Sequence, residues 1–199
     1  MIDQEAQLEA VTRHVRRDPY TVSVILRRDF EAAHDAVWYA ITDREELEKW
    51  FAPVSGELHD GGSYQIEGGP HGGIWECKPR EHFMLTVGSA ESLLTVELAH
   101  TSEGTTVQLT HGVPLRQAAT GASAVTVGPG WDIALLGLDL YLRGEEFDAP
   151  IEISHSKELI EFTKGSIQRW VTEVEPSGTA SSDDIRTAQA DALAKYTKQ

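Results

Sequence analysis

The stretch Gly128-Pro129-Gly130-Trp131-Asp132-Ile133-Ala134-Leu135-Leu136-Gly137-Leu138-Asp139-Leu140-Tyr141-Leu142 decides the fold: a Gly-Pro-Gly break followed by the most apolar helix candidate of the chain. Trp131, Leu135, Leu138 and Leu142 recur at i, i+4, i+7 and i+11, one stripe of an α-helix. Ile133, Leu136 and Leu140 make the opposite side apolar too, so the pattern predicts a helix with protein on both faces. A long helix closing over the strand-like sequence before it makes a hollow, and a hollow is where a function would sit.

Upstream of that helix the hydrophobic period is two. Candidate strands are Val54–Leu58, Ser63–Glu67, Gly73–Lys78, His82–Ser89, Ser92–His100 and Thr105–Gly112. Asp60-Gly61-Gly62, Gly68-Gly69-Pro70, Pro79 and Glu103-Gly104 punctuate them, which predicts an antiparallel meander joined by tight turns. Before the meander, Thr21–Arg28 has the β-branched content of a first strand, and Ala33–Ile41 has the spacing of a helix. Thr42-Asp43-Arg44-Glu45-Glu46 has the form of a capped helix start, and Pro53 stops that helix after Trp50-Phe51.

The ends of the chain are helical in pattern. Residues 5–17 predict a short amphipathic helix through Leu8, Val11 and Val15, broken by Pro19. Residues 114–127 predict irregular or weakly helical chain, and Phe147–Pro150 a linker. Glu158–Val174 is amphipathic through Leu159, Ile160, Phe162, Ile167, Trp170 and Val171. A turn at 175–178 precedes a last helix, Ser182–Tyr196, with Ser181 or Ser182 as its cap. These tail helices are too short and polar to fold alone, and the outer face of the 131–142 helix is the expected support. The expected architecture is α+β: an N-terminal segment (1–20), a sheet-and-helix domain (21–144) and a helical extension (145–199) packed on that domain.

Bulk properties exclude several classes. The chain has 199 residues, 40% hydrophobic and 25% charged, enough for a real core. With a net charge of −15 it lacks the basic surface that phosphate neutralisation needs, so no nucleic-acid partner is expected, and an anionic membrane would repel it. No apolar run approaches the roughly 18 residues of a membrane span. The first residues lack the basic-then-apolar order of a signal peptide, and Cys77 is the single cysteine. Together these predict a cytoplasmic location.

Several motifs resemble a known family. Val37-Trp38-Tyr39-Ala40-Ile41-Thr42-Asp43, then Leu47-Glu48-Lys49-Trp50-Phe51, then Gly61-Gly62-Ser63-Tyr64, resemble the opening of the SRPBCC superfamily. More narrowly they resemble the heat-shock protein 90 ATPase-activator homologue (Aha-type C-terminal domain) family. Glu76-Cys77-Lys78-Pro79 is similar to that family's Glu-x-x-Pro strand-turn-strand, and Gly130-Trp131-Asp132 with Leu135-Leu136 to its closing helix. Arg169-Trp170 and the segment from Ala192 to Tyr196 resemble an extension of a bacterial subgroup. Val87 stands where many relatives place tryptophan. The resemblance implies a helix-grip (Bet v1/START-like) fold, a curved antiparallel sheet around a long C-terminal helix, with a helical C-terminal extension. It also implies a cavity for hydrophobic ligands and, through the family name, a link to stress response.

The candidate ligand-binding residues follow. Trp50 and Phe51 close the second short helix; Tyr64 and Ile66 share a strand face; Trp75 lies on the next strand; Trp131 and Leu135 lie on the closing helix. Aromatic walls with a few polar tips suit a small apolar ligand, and the plain alternative is that these side chains fill the core. His71, in the Gly69–Gly73 loop, stands where a pocket mouth would be gated. Glu76 is a carboxylate whose burial would raise its pKa, while Asp132 is expected to complement the helix dipole. The eight histidines show no metal-ligand spacing, so neither metal nor cofactor is expected, and no catalytic residue is assigned. The leading expectation is a cytoplasmic protein, not an enzyme, that holds a small hydrophobic molecule between sheet and helix. A chaperone-activating partnership is one alternative and a polyketide-cyclase-like enzyme another. A homodimer through the outer helix face is the alternative to docking of the tail helices there.

Overall fold

The computed structural model describes residues 3–145 and 156–197. Its elements run α1 (Gln4–Glu9), β1 (Val11–Arg17), β2 (Thr21–Phe30), α2 (His34–Thr42), α3 (Arg44–Trp50) and β3 (Val54–Glu57). There follow β4 (Ser63–Ile66), β5 (His71–Lys78), β6 (His82–Val87), β7 (Ser89–His100) and β8 (Thr105–Pro114). Then come α4 (Leu115–Ala118), α5 (Ser123–Leu142), α6 (Lys157–Val174), a 3-10 turn (Glu175–Ser177) and α7 (Ser182–Tyr196). The strands form one eight-stranded antiparallel sheet in the order β1-β2-β8-β7-β6-β5-β4-β3. The expected meander is present from β3 to β8, each strand beside its sequence neighbour. The linker expected at Phe147–Pro150 lies outside the described residues.

Two predicted elements differ from the structure. The helix expected over 5–17 stops at Glu9, where α1 ends, and Val11–Arg17 is a strand. Asp3 caps α1, its side chain accepting from the Ala6 amide. Beyond it, β-branched Val11, Thr12 and Val15 suit a pleated surface, and ladder pairing at the sheet edge outweighs the helical spacing. The closing helix begins at Ser123 rather than at Trp131, and Pro129 lies inside it. A proline inside a helix removes one backbone hydrogen bond without forbidding helical φ. Ala124 and Val125 at the start of α5 are fully buried, so packing holds the helix on both sides of the proline.

By compactness the described chain forms two units: residues of 1–26, 112–136 and 151–199 in one, residues of 27–111 and 137–150 in the other. In the first, α6 buries Leu159, Phe162, Ile167, Trp170, Val171 and Val174. The Ser181 hydroxyl and the Asp184 side chain close a capping box at the start of α7, and the Tyr196 hydroxyl at its end donates to the Thr126 carbonyl at 3.0 Å. Trp170 is fully buried, and a Cβ added to Gly128 would lie 2.1 Å from its Cε2. The Gly-Pro-Gly triplet is therefore the seat of an indole ring and not a helix stop.

In the second unit, Asp43 caps α3 by accepting from the amides of Glu45 and Glu46 at 2.9 and 3.2 Å. Val54, Tyr64 and Ile74 form a core cluster on β3, β4 and β5, with Leu47, Leu58, Ile66, Cys77 and Leu85 packed against it. Between β5 and β6, Ile74 faces Leu85 and Glu76 faces Met84, which leaves Trp75 as the extra residue of a β-bulge.

Candidate functional site

The first unit holds a buried polar centre around Asp132. With α5 starting at Ser123, Asp132 lies well past its first turn, so the expected role of complementing the helix dipole does not hold. Its carboxylate is fully buried and accepts from Arg13 Nη2 at 2.9 Å, from Arg13 Nε at 3.1 Å, from Ser166 Oγ at 2.5 Å and from Trp170 Nε1 at 2.9 Å. Arg13 Nη1 donates in turn to the carbonyls of Leu8 and Val11. A buried ion pair offsets its desolvation only when its remaining groups are bonded, and here they are. This centre ties β1, α5 and α6 together and serves folding.

The second unit carries the candidate site. Along β7 and β8 the buried positions Leu94, Val96, Val107 and Leu109 are apolar. The same alternation places Ser92 and His111 among the buried residues, and Ser92 Oγ lies 2.8 Å from His111 Nε2. Burial pushes the His111 imidazole down to about 4, so it is neutral at neutral pH. On β2 the buried series continues from Leu26 to Arg28 and Phe30; Arg28 Nη2 is 2.9 Å from Asp139 Oδ1 on α5, and its guanidinium lies over the Phe30 ring. Asp139 also meets Arg143 at 3.2 Å.

A third polar group sits where α3 meets α5. The Tyr141 hydroxyl donates to Glu46, which also accepts from Lys49 Nζ at 2.7 Å. The bond from Lys49, and after it that from Tyr141, holds the Glu46 carboxyl below its ordinary range. Burial, with Glu46 as acceptor, pushes the Tyr141 phenol up. The Trp50 ring stacks near Tyr141, 6.4 Å between centroids, and lies on Gly137, where an added Cβ would be 3.3 Å away.

The sequence-derived residues are distributed as follows. Trp50 is buried, its indole N–H donating to the Ala40 carbonyl at 2.9 Å, and Phe51 is half-buried beside it. Tyr64 is buried and Ile66 half-buried in the core cluster; the Tyr64 hydroxyl donates to the Thr86 carbonyl at 2.7 Å, and burial pushes its pKa up to about 12. His71 is exposed on β5. Trp75 is 58% exposed at the bulge, and Glu76 is exposed and pairs with His82 at 3.1 Å. The burial expected for Glu76 is therefore absent, because the bulge shifts the facing of β5 beyond Ile74. Trp131, half-buried, and Leu135, buried, belong to the first unit.

Sequence reasoning missed Ser92, His111, Arg28 and Asp139. The signal for two of them was available: His111 continues the buried alternation of Val107 and Leu109, and Arg28 that of Val24 and Leu26. Among the described residues no group of three or more His, Cys, Asp or Glu side chains is arranged to hold a metal ion. No described helix is long and apolar enough to cross a membrane.

Comparison with known proteins bears on the fold. CalU16 from Micromonospora echinospora is similar in its crystal structure, with 26% identity, 83% of this chain and 99% of that chain covered, and a TM-score of 0.68. Its solution structure gives 26% identity, coverage of 85% and 97%, and a TM-score of 0.71. EF2215 from Enterococcus faecalis shares the fold at 14% identity, with coverage of 85% and 95% and a TM-score of 0.61. DynU16, a protein of the dynemicin biosynthetic locus, shares it at 22% identity, with coverage of 66% and 51% and a TM-score of 0.55. None of the curated proteins matches the chain. The model of the family described as activator of Hsp90 ATPase homolog 1-like protein matches residues 31–143. The strand order, the long closing helix and that match together establish that this chain, with its helix-grip fold and C-terminal helices, belongs to the activator of Hsp90 ATPase homolog 1-like protein family.

Proposed function

We propose that the protein binds a small, largely apolar molecule in the interior of the unit formed by residues 27–111 and 137–145. The observation that carries this reading is the pair of buried polar contacts, Ser92–His111 and Arg28–Asp139, set among apolar side chains of the same unit. Mostly apolar walls with a few convergent polar groups are what a small-molecule site needs. On this reading Trp50, Phe51, Tyr64 and Ile66 supply apolar wall, while exposed Trp75 and Glu76 stay outside the site.

The test is native mass spectrometry of the purified protein against its denatured mass, together with amide chemical-shift mapping during titration with 2-naphthol. A reproducible excess mass is expected. Shifts are expected on β7, β8 and residues 137–142, and not on α6 or α7. A bare chain mass with shifts absent, or confined to α6 and α7, would overturn the proposal and bring a chaperone ATPase assay forward.

A further inference from the structure

We propose that the Ser92–His111 pair is the polar end of this ligand site and selects an apolar ring system that carries an uncharged hydroxyl. The inference rests on the ligand-binding reading above and adds the chemistry that the ligand must present.

Three observations support it. Ser92 and His111 are buried on neighbouring strands and bonded at 2.8 Å, in line with the apolar positions Leu94 and Leu109. A serine hydroxyl offers one donor and two acceptor sites. Among the described residues that hydroxyl engages His111 alone, which leaves capacity for a second polar partner. Finally, burial keeps His111 uncharged, so the pair presents a neutral dipole and no counter-ion for a carboxylate. A buried anion beside this pair would lose its hydration and gain no charge from the pair itself, whereas a phenol or enol hydroxyl can both donate to and accept from Ser92 Oγ.

A pair of probes of equal shape isolates the hydroxyl: 2-naphthol and 2-methylnaphthalene, measured by equilibrium dialysis against wild type and Ser92→Ala. The affinity ratio of naphthol to methylnaphthalene is expected to be roughly tenfold larger for wild type than for Ser92→Ala, the factor of one buried hydrogen bond. Ser92→Thr, which keeps the hydroxyl, is expected to retain the wild-type ratio; His111→Phe is expected to lose it as Ser92→Ala does. Equal ratios in wild type and Ser92→Ala would overturn the polar-end assignment while leaving the ligand site standing. Binding of 2-naphthoate as tight as that of naphthol would overturn the uncharged-hydroxyl requirement. Binding of neither neutral probe to wild type would overturn the ligand-site reading itself, and this inference with it.

Discussion

His111 shows how one buried side chain links stability to pH. Its folded pKa lies near 4, below the ordinary 6.5, because burial disfavours the imidazolium. Between those two values the unfolded chain holds a proton that the folded chain does not, so the contribution is intact above about 6.5 and is lost as pH falls towards 4. A shift of this size corresponds to about 3 kcal/mol. Urea unfolding of wild type and His111→Phe at pH about 7 and about 4 is expected to show a pH-dependent loss smaller in the variant by roughly that amount. Equal losses would mean that His111 titrates normally in the folded protein. Asp132 carries a different lesson at the same scale: its carboxylate is held by donors from two other elements, so its character is set by neighbours and not by its position in a helix.

At the scale of elements, two glycines of α5 do different work. A methyl group on Gly128 would meet Trp170 Cε2 at 2.1 Å and Nε1 at 2.3 Å, and the buried indole has no room to retreat. Gly128→Ala is therefore expected to displace Trp170 from Asp132 and cost about 2–4 kcal/mol, overpacking and a lost charged hydrogen bond together. The same change at Gly137 brings a methyl only to 3.3 Å from Trp50, a contact that a few tenths of an ångström relieves. Alanine also favours the helix by about 1 kcal/mol over glycine, so Gly137→Ala is expected to be near neutral. Urea midpoints of the two variants decide the matter, and equal values would refute the seating of Trp170 on Gly128. The local sequence predicted a break at Gly128-Pro129-Gly130 because glycine and proline are poor helix formers. The structure keeps the helix because the missing side chain admits a ring from α6.

On the scale of the molecule, α6 and α7 form one compact unit with residues 3–26 and 112–136. A chain ending at Glu145 would lose Ser166 and Trp170 as donors to buried Asp132, and the Tyr196 contact to Thr126. Such a truncation is expected to lose the cooperative unfolding transition followed by far-ultraviolet circular dichroism. A sharp transition with the wild-type midpoint would make the tail an accessory.

The sequence by itself determined the strands of the meander, a cap at Thr42 or Asp43 for the helix that follows, and the last helix from Ser182 to Tyr196. Each of these is encoded in periodicity and capping chemistry within a few neighbouring residues. It left the candidate site half legible. Trp50 and Tyr64 stand out as large aromatics, but their buried hydrogen bonds to Ala40 and Thr86 belong to the packing. Tertiary structure alone decided that Val11–Arg17 pairs as a strand, that Glu76 faces water beside a bulge, and that Asp132 meets Arg13, 119 residues away, and Trp170, 38 residues away. It also decided that Ser92 meets His111 across two strands. The reason is physical: a buried polar group must find its partner wherever the fold brings a donor or acceptor, and nothing local in the chain specifies that distance.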